Sequence, residues 1–306
     1  MSVKWTADTI PDQAGRTAIV TGANSGLGYV TALELARHGA QVVVACRNVA
    51  KGEAAALEIA AAGGTKPEVR ELDLGSLASV RGFADELSGR QVDLLVNNAG
   101  VMMTPRQTTS DGFELQLGTN HLGHFALTGR LLDALQRSDS ARVVTLSSNE
   151  HKGGTLDPDD LQMGRDYSPR GAYRRSKLAN AFAIELDRRL RSAGAKTISV
   201  FAHPGYSATN LQSSGPTGAA KALMAITNKI VAQSAERGAL PTLYAATAPG
   251  VEGGAYYGPD GRAEMRGFPK QVKAIPEAYD PGIGMRLWAA SEALTGVHYP
   301  LEGALA

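Results

Sequence analysis

Tyr173 and Lys177 stand four residues apart in GAYRRSKLANAFAIEL, a stretch with helical apolar spacing, so the two side chains leave one face a single turn apart. A phenol with a pKa of about 10 is a poor acid or base near neutrality, and a cation within about 5 Å favours its phenolate. Lys177 would therefore make Tyr173 a usable proton donor or acceptor. With 9 Tyr and 10 Lys in 306 residues, chance supplies roughly 0.3 such pairs per chain. A packed tyrosine beside a surface lysine is the plainer alternative.

A second cluster has the chemistry of an anion site. In TGANSGLG the glycines fall as G-x-x-x-G-x-G, with Gly22, Gly26 and Gly28 opening a helix that carries Leu27, Val30, Leu33 and Leu35. Glycine lets backbone approach a pyrophosphate, and a helix N-terminus offers unpaired N–H groups and the positive end of a dipole. Alone, such a pattern recurs by chance; its place between a strand and a helix is what points to a dinucleotide. After the second strand, where enzymes preferring NAD carry an acid for the ribose 2′-hydroxyl, the chain reads VVVACRN. Cys46 takes the acid's place and Arg47 follows, which predicts NADP(H), with Asn48 assisting. The alternative is that Arg47 is a solvated cation.

The elements that must position these groups alternate. Strands are predicted at Thr17–Thr21, Gln41–Cys46, Glu68–Leu72, Val92–Val96, Arg142–Leu146 and Lys196–Ala202, with helices near 26–38, 50–62, 76–88, 113–136 and 170–193. Continuous apolar strand cores imply cover on both faces, hence an α/β, doubly wound (Rossmann-type) parallel sheet with ligands beyond the strands' carboxyl ends. Past residue 204 the pattern loosens into HPGYSATNLQSSGPTGAAKAL, a lid over the substrate cleft or a plain connector. Helices near 217–233, 236–248 and 281–294 and a short strand in GGAYYGPDG complete the chain. No linker or repeat is visible, so one domain over 1–306 is expected, with cofactor binding in about 15–148 and the catalytic and substrate part in 149–306.

Composition narrows the function classes. A balance of 31 Lys+Arg against 30 Asp+Glu provides no field to gather nucleic acid or an anionic membrane. The lone Cys46 excludes an intramolecular disulfide and fits a reducing compartment. The start lacks the apolar core of a secretory signal, and no apolar run approaches the roughly 20 residues of a membrane span. A cytoplasmic protein without a membrane anchor is expected.

Taken together and in order, these motifs resemble the short-chain dehydrogenase/reductase family over essentially the whole chain, with retinol dehydrogenase-like members nearest in flavour through TGANSGLG, ACRN, NHLGHF and AYxxSKLAN. The resemblance implies that Thr21, Gly22, Asn24, Ser25, Gly26, Leu27 and Gly28 form the cofactor loop. It places Asp73 and Leu74 at the adenine, and Asn98, Ala99 and Gly100 in the NNAG segment. Asn120, Ser148, Tyr173 and Lys177 are then the catalytic tetrad, while Pro204, Gly205 and Thr209 meet the nicotinamide carboxamide. In this scheme Ser148 and Tyr173 hold the carbonyl oxygen, Tyr173 gives the proton, Lys177 holds the ribose and lowers the tyrosine pKa, and Asn120 supports a water. Ser148 is favoured over Ser147. The 25-residue gap between Ser148 and Tyr173 is longer than the family's usual dozen, and the extra residues are expected to form a loop beside the site. No metal is needed, since the cofactor carries the chemistry.

Other residues have plainer readings. His121 and His124 lack the third ligand zinc wants. His151 and His203 flank motif segments and read as packing or surface residues, and Met102, Met103, Met163 and Tyr206 fall near the cleft. The expected activity is hydride transfer between NADP(H) and an apolar carbonyl or alcohol; a dinucleotide-binding sensor without turnover is the rival. Relatives often pair through the helices at 113–136 and 170–193, which leaves a homo-oligomer open.

Overall fold

The structure, a computed structural model, describes residues 4–207 and 233–301. Three apolar runs become strands at the expected ends: β1 (Thr17–Thr21), β2 (Gln41–Cys46) and β5 (Arg142–Leu146). With β3 (Glu68–Glu71), β4 (Leu94–Asn97), β6 (Ile198–Ala202), β7 (Tyr256–Pro259) and β8 (Pro269–Val272), they form one sheet in the order β3-β2-β1-β4-β5-β6-β7-β8. All neighbours run parallel except β7 and β8, which pair antiparallel from Tyr256↔Val272 to Pro259↔Pro269.

Side chains alternate across a strand, and the sheet accordingly feeds two cores. Ile19, Val43, Leu95 and Val143 point into one, while Val20, Val44, Val96 and Val144 point into the other. The second is closed by α1 (Gly26–Arg37) and by α9 (Ala235–Thr247), through Ala32, Leu35, Ala239 and Leu243. The first takes Phe83 from α3 (Leu77–Glu86), Phe125 from α5 (Gly123–Arg130), Phe182 and Leu186 from α8 (Phe182–Ser192) and Trp288 from α10 (Pro281–Thr295). The strand order reverses between β1 and β4, and the crevice outside their carboxyl ends is where such sheets take ligands.

The expected rods are broken. Residues 113–136 divide into α4 (Leu115–Leu117), a π-turn over Gly118–Leu122, α5 and α6 (Leu132–Gln136). Residues 170–193 divide at Asn180 into α7 (Pro169–Ala179) and α8. Strand β4 begins two residues later than expected, because the Asp93 side chain leaves the sheet pattern to accept the Thr17 N–H at 2.8 Å. Strand β8 was not anticipated: PKQV at a sheet edge carries one apolar residue after proline. Thr209, the loosened segment through 232 and most of the 217–233 helix lie outside the described residues.

Candidate active site

Strand β1 ends at Thr21, and the chain turns at Gly22, whose φ of 67° lies in the left-handed region that favours glycine. The cap of α1, Ser25, makes no side-chain bond to the helix, so its first N–H groups stay available to an anion. A Cβ on Gly28 would stand 2.4 Å from Asn98 Nδ2 and 2.6 Å from Gly22 O; turn, helix and the segment after β4 close only over a glycine. Two adjoining cavities of about 300 and 510 Å³ run along this turn and share Gly22, Asn24, Arg47, Ala99 and Gly100 in their walls. The first adds Ser25, Gly26, Leu27, Gly28 and Asn98; the second adds Leu72, Asp73 and Leu74. An extended dinucleotide fits this groove: N–H groups for the pyrophosphate lie at one end and a polar and aliphatic wall at the other.

Cys46 is buried in the wall of the second cavity, and Arg47 stands exposed where the two meet. Asn48, expected to assist the cofactor, caps α2 (Val49–Ala61): its Oδ1 accepts the Lys51 N–H at 2.9 Å, and it lines neither cavity. Thr21 is a buried tie. Its Oγ1 accepts the N–H groups of Asn98 and Ala99, each at 2.9 Å, binding the glycine turn to the NNAG segment.

Strand β5 runs into two serines that face different ways. Ser147 is buried and its hydroxyl donates to Lys177 O at 2.8 Å. The Ser148 hydroxyl neighbours Tyr173 closely enough to oppose the upward shift of its phenol and accepts the Glu150 N–H at 3.2 Å. The turn Asn149–Gly153 that follows is tied to α7 by Glu150, which accepts from Arg170 Nε at 3.0 Å and Arg174 Nε at 2.7 Å. Ser148 and Tyr173 are thus held together from both sides. The Lys177 Nζ lies 5.9 Å from the Tyr173 ring centre and donates to Leu146 O at 3.1 Å.

The expected depression of the Tyr173 pKa is not found in the protein by itself. Burial pushes the phenol up to about 12 despite the opposing influence of the neighbouring Ser148 hydroxyl, and Lys177 is itself pulled down to about 8 by burial. Both groups are buried, and burial disfavours the charged form of each. Free Tyr173 is therefore a protonated phenol, a donor rather than a base.

Asn120 sits in the π-turn, a geometry that often marks functional positions. Its side chain is fully engaged: Oδ1 accepts the Val101 N–H at 2.8 Å, and Nδ2 donates to Val101 O and Ser176 Oγ, each at 2.9 Å. It positions the loop after β4 against α7. Pro204 and Gly205 follow β6 but line neither of the two cavities.

Several contributors have no sequence signal. His124 donates from Nδ1 to Asn120 O at 3.0 Å, which leaves Nε2 to accept the Thr21 hydroxyl at 2.9 Å. This neutral tautomer couples the π-turn to the glycine turn. Burial holds the pKa of His124 at about 4 and that of His121 at about 3. His121 meets Ser291 at 2.8 Å. Among the described residues, no group of three or more His, Cys, Asp or Glu could hold a metal.

A serine beside a buried phenol, a buried lysine next to them and a dinucleotide groove around a strand–glycine turn–helix define a nicotinamide-dependent dehydrogenase. The short chain dehydrogenase family model matches residues 16–156, and the chain belongs to the short-chain dehydrogenase/reductase family. Human retinol dehydrogenase 13 is 44% identical over 305 residues, covering 95% of this chain and 87% of that protein. Mouse polyprenol dehydrogenase is 44% identical over 299 residues, covering 94% and 86%. In the solved structures, an uncharacterized protein from Mycobacterium paratuberculosis superposes with a TM-score of 0.82 at 46% identity, covering 97% of this chain and all of the other. Membership brings hydride-transfer oxidoreductase activity and a nicotinamide dinucleotide.

Proposed function

We propose that the protein is an NADP(H)-dependent reductase or dehydrogenase of apolar carbonyl and alcohol compounds, acting in the cytoplasm. The observation that carries the reading is the convergence of Ser148, Tyr173 and Lys177 next to the groove. Nicotinamide, when bound, supplies or takes the hydride. Ser148 Oγ already accepts the Glu150 N–H, so its own proton is free to be donated to a substrate oxygen. Tyr173, kept protonated by burial, passes its proton to the same oxygen as the carbonyl becomes an alcohol. Lys177, with its lowered pKa, is the cation that offsets charge on the phenol once the proton has left.

Arg47, following Cys46 in the acid's place after β2, favours a 2′-phosphate. Two relatives are named for retinol and polyprenol, both long isoprenoid alcohols, which supports an elongated apolar substrate.

The test follows NADPH absorbance with retinal, medium-chain aldehydes and ketones, for wild type and Tyr173→Phe. Turnover by wild type should fall about 10²–10⁴-fold in the variant, with NADPH affinity preserved. Tight NADPH binding without turnover of any compound would favour the sensor, and equal rates in both proteins would remove Tyr173 from the mechanism. Calorimetry should give tighter NADP than NAD binding, with Arg47→Asp losing about 10–100-fold in NADP affinity; tighter NAD binding by wild type would refute the role of Arg47.

A further inference from the structure

The connection between β7 and β8 carries two adjacent non-glycine residues in the left-handed region, Ala263 at φ 52° and Glu264 at φ 56°. L residues adopt this conformation only where the surroundings hold them, and such outliers concentrate at functional sites. Here they are held from two directions. From the Ser148 side, Asn149 Nδ2 donates to Ala263 O at 3.1 Å and Glu264 O at 3.2 Å, and Lys152 Nζ donates to Glu264 Oε2 at 2.9 Å. From the β6 side, His203 Nε2 reaches the same carboxylate oxygen at 3.0 Å, and the Tyr206 N–H donates to Met265 O at 2.8 Å. The approach is close enough that a Cβ on Gly205 would meet Met265 O at 2.4 Å.

The protonation states agree with this arrangement. The Gly205 N–H donates to His203 Nδ1 at 3.2 Å, so the ring proton sits on Nε2 and points at Glu264. Burial keeps the fully buried His203 neutral. Glu264 is held ionised, at about 2, first by the His203 hydrogen bond and also by Lys152, against the cost of its burial. One carboxylate oxygen therefore receives a donor from each of the two segments, in addition to the backbone contacts that Asn149 and Tyr206 make with residues 263–265.

We propose that Glu264 is a positioning residue for the active site, clamping the turn that follows Ser148 to the Pro204–Tyr206 segment so that the hydroxyl of Ser148 keeps its place beside Tyr173. The proposal rests on the reading of Ser148 given above for its kinetic consequence, though not for its structural one. Loss of the carboxylate releases the bonds of Lys152 and His203 to it together and leaves the strained pair Ala263–Glu264 held by the Asn149 contacts and the turn's own backbone bonds.

The experiment uses the full chain as Glu264→Ala and Glu264→Gln, followed by amide hydrogen exchange and steady-state kinetics. In Glu264→Ala, exchange in residues 149–154 and 203–207 should rise about tenfold or more while β1 and β2 are unchanged. The kcat of whatever compound wild type reduces should fall about tenfold with KM changing less than about threefold. Glu264→Gln, which keeps an acceptor oxygen at the same reach, should recover most of both. Unchanged exchange in the two segments, or a uniform rise along the whole chain, would overturn the proposal. So would kcat within about twofold of wild type. If wild type reduces none of the compounds, the function proposed above fails, and the exchange data still decide the role of Glu264.

Discussion

Lys177 is 4% exposed, and its ammonium has the Leu146 carbonyl as its acceptor at 3.1 Å. Burial lowers its pKa from 10.5 to about 8. The folded chain thus releases this proton near pH 8 and the unfolded chain only near 10.5. Between those values the unfolded state binds more protons, so stability rises with pH through the window, and below pH 8 the whole penalty is present. Lys177→Met fills the same volume without the charge, and Leu146 O keeps its bond from Asn180 Nδ2 at 2.8 Å. Urea unfolding at pH 7 should therefore show a gain of up to about 3 kcal/mol, with a flat profile from pH 8 to 10, while turnover is lost. A less stable variant would mean that Lys177 is held in the fold by more than its chemistry.

At the scale of elements, β1, β2 and β5 were legible to the residue because a strand covered on both faces must be an unbroken apolar run. The helices were legible in place but not in continuity. Asn120 reaches Ser176, 56 residues away, and Asn180 reaches Leu146, 34 residues away, and no local pattern announces such partners. The glycine turn and the pair Tyr173–Lys177 were readable since their spacing is their chemistry, whereas Glu150, His124 and Glu264 act through contacts that only the fold creates. The π-turn leaves an acid-sensitive signature. His121 and His124 are buried and neutral, at about 3 and 4 against 6.5 unfolded. Below pH 6.5 the unfolded chain takes up protons the folded chain refuses, so stability present above 6.5 is lost as the pH falls toward 4. Thermal unfolding should show a loss of several kcal/mol across this range, and His121→Gln/His124→Gln should flatten it. A variant with the same slope as wild type would place acid sensitivity elsewhere.

Across the whole molecule, the last described helix closes the face between α5 and α8. Trp288 lies 5.0 Å from the Phe125 ring and 4.6 Å from the Tyr299 ring, with the Arg189 guanidinium 4.4 Å above it. Ser291 bonds His121, and the Tyr299 hydroxyl donates to Phe125 O at 2.6 Å. Those two helices are the surface through which the family resemblance leads one to expect pairing, and here the chain's own α10 covers the seam between them. Among the described residues, no helix is long and apolar enough to cross a membrane. Trp288→Ala removes the centre of the packing and should destabilise the protein by about 3–5 kcal/mol, measured by urea unfolding. Analytical ultracentrifugation of wild type should give a monomer of 32.0 kDa, since α10 already covers the seam between α5 and α8. A dimer whose amide exchange is protected along α8 would show that α10 shares this face with a partner rather than filling it.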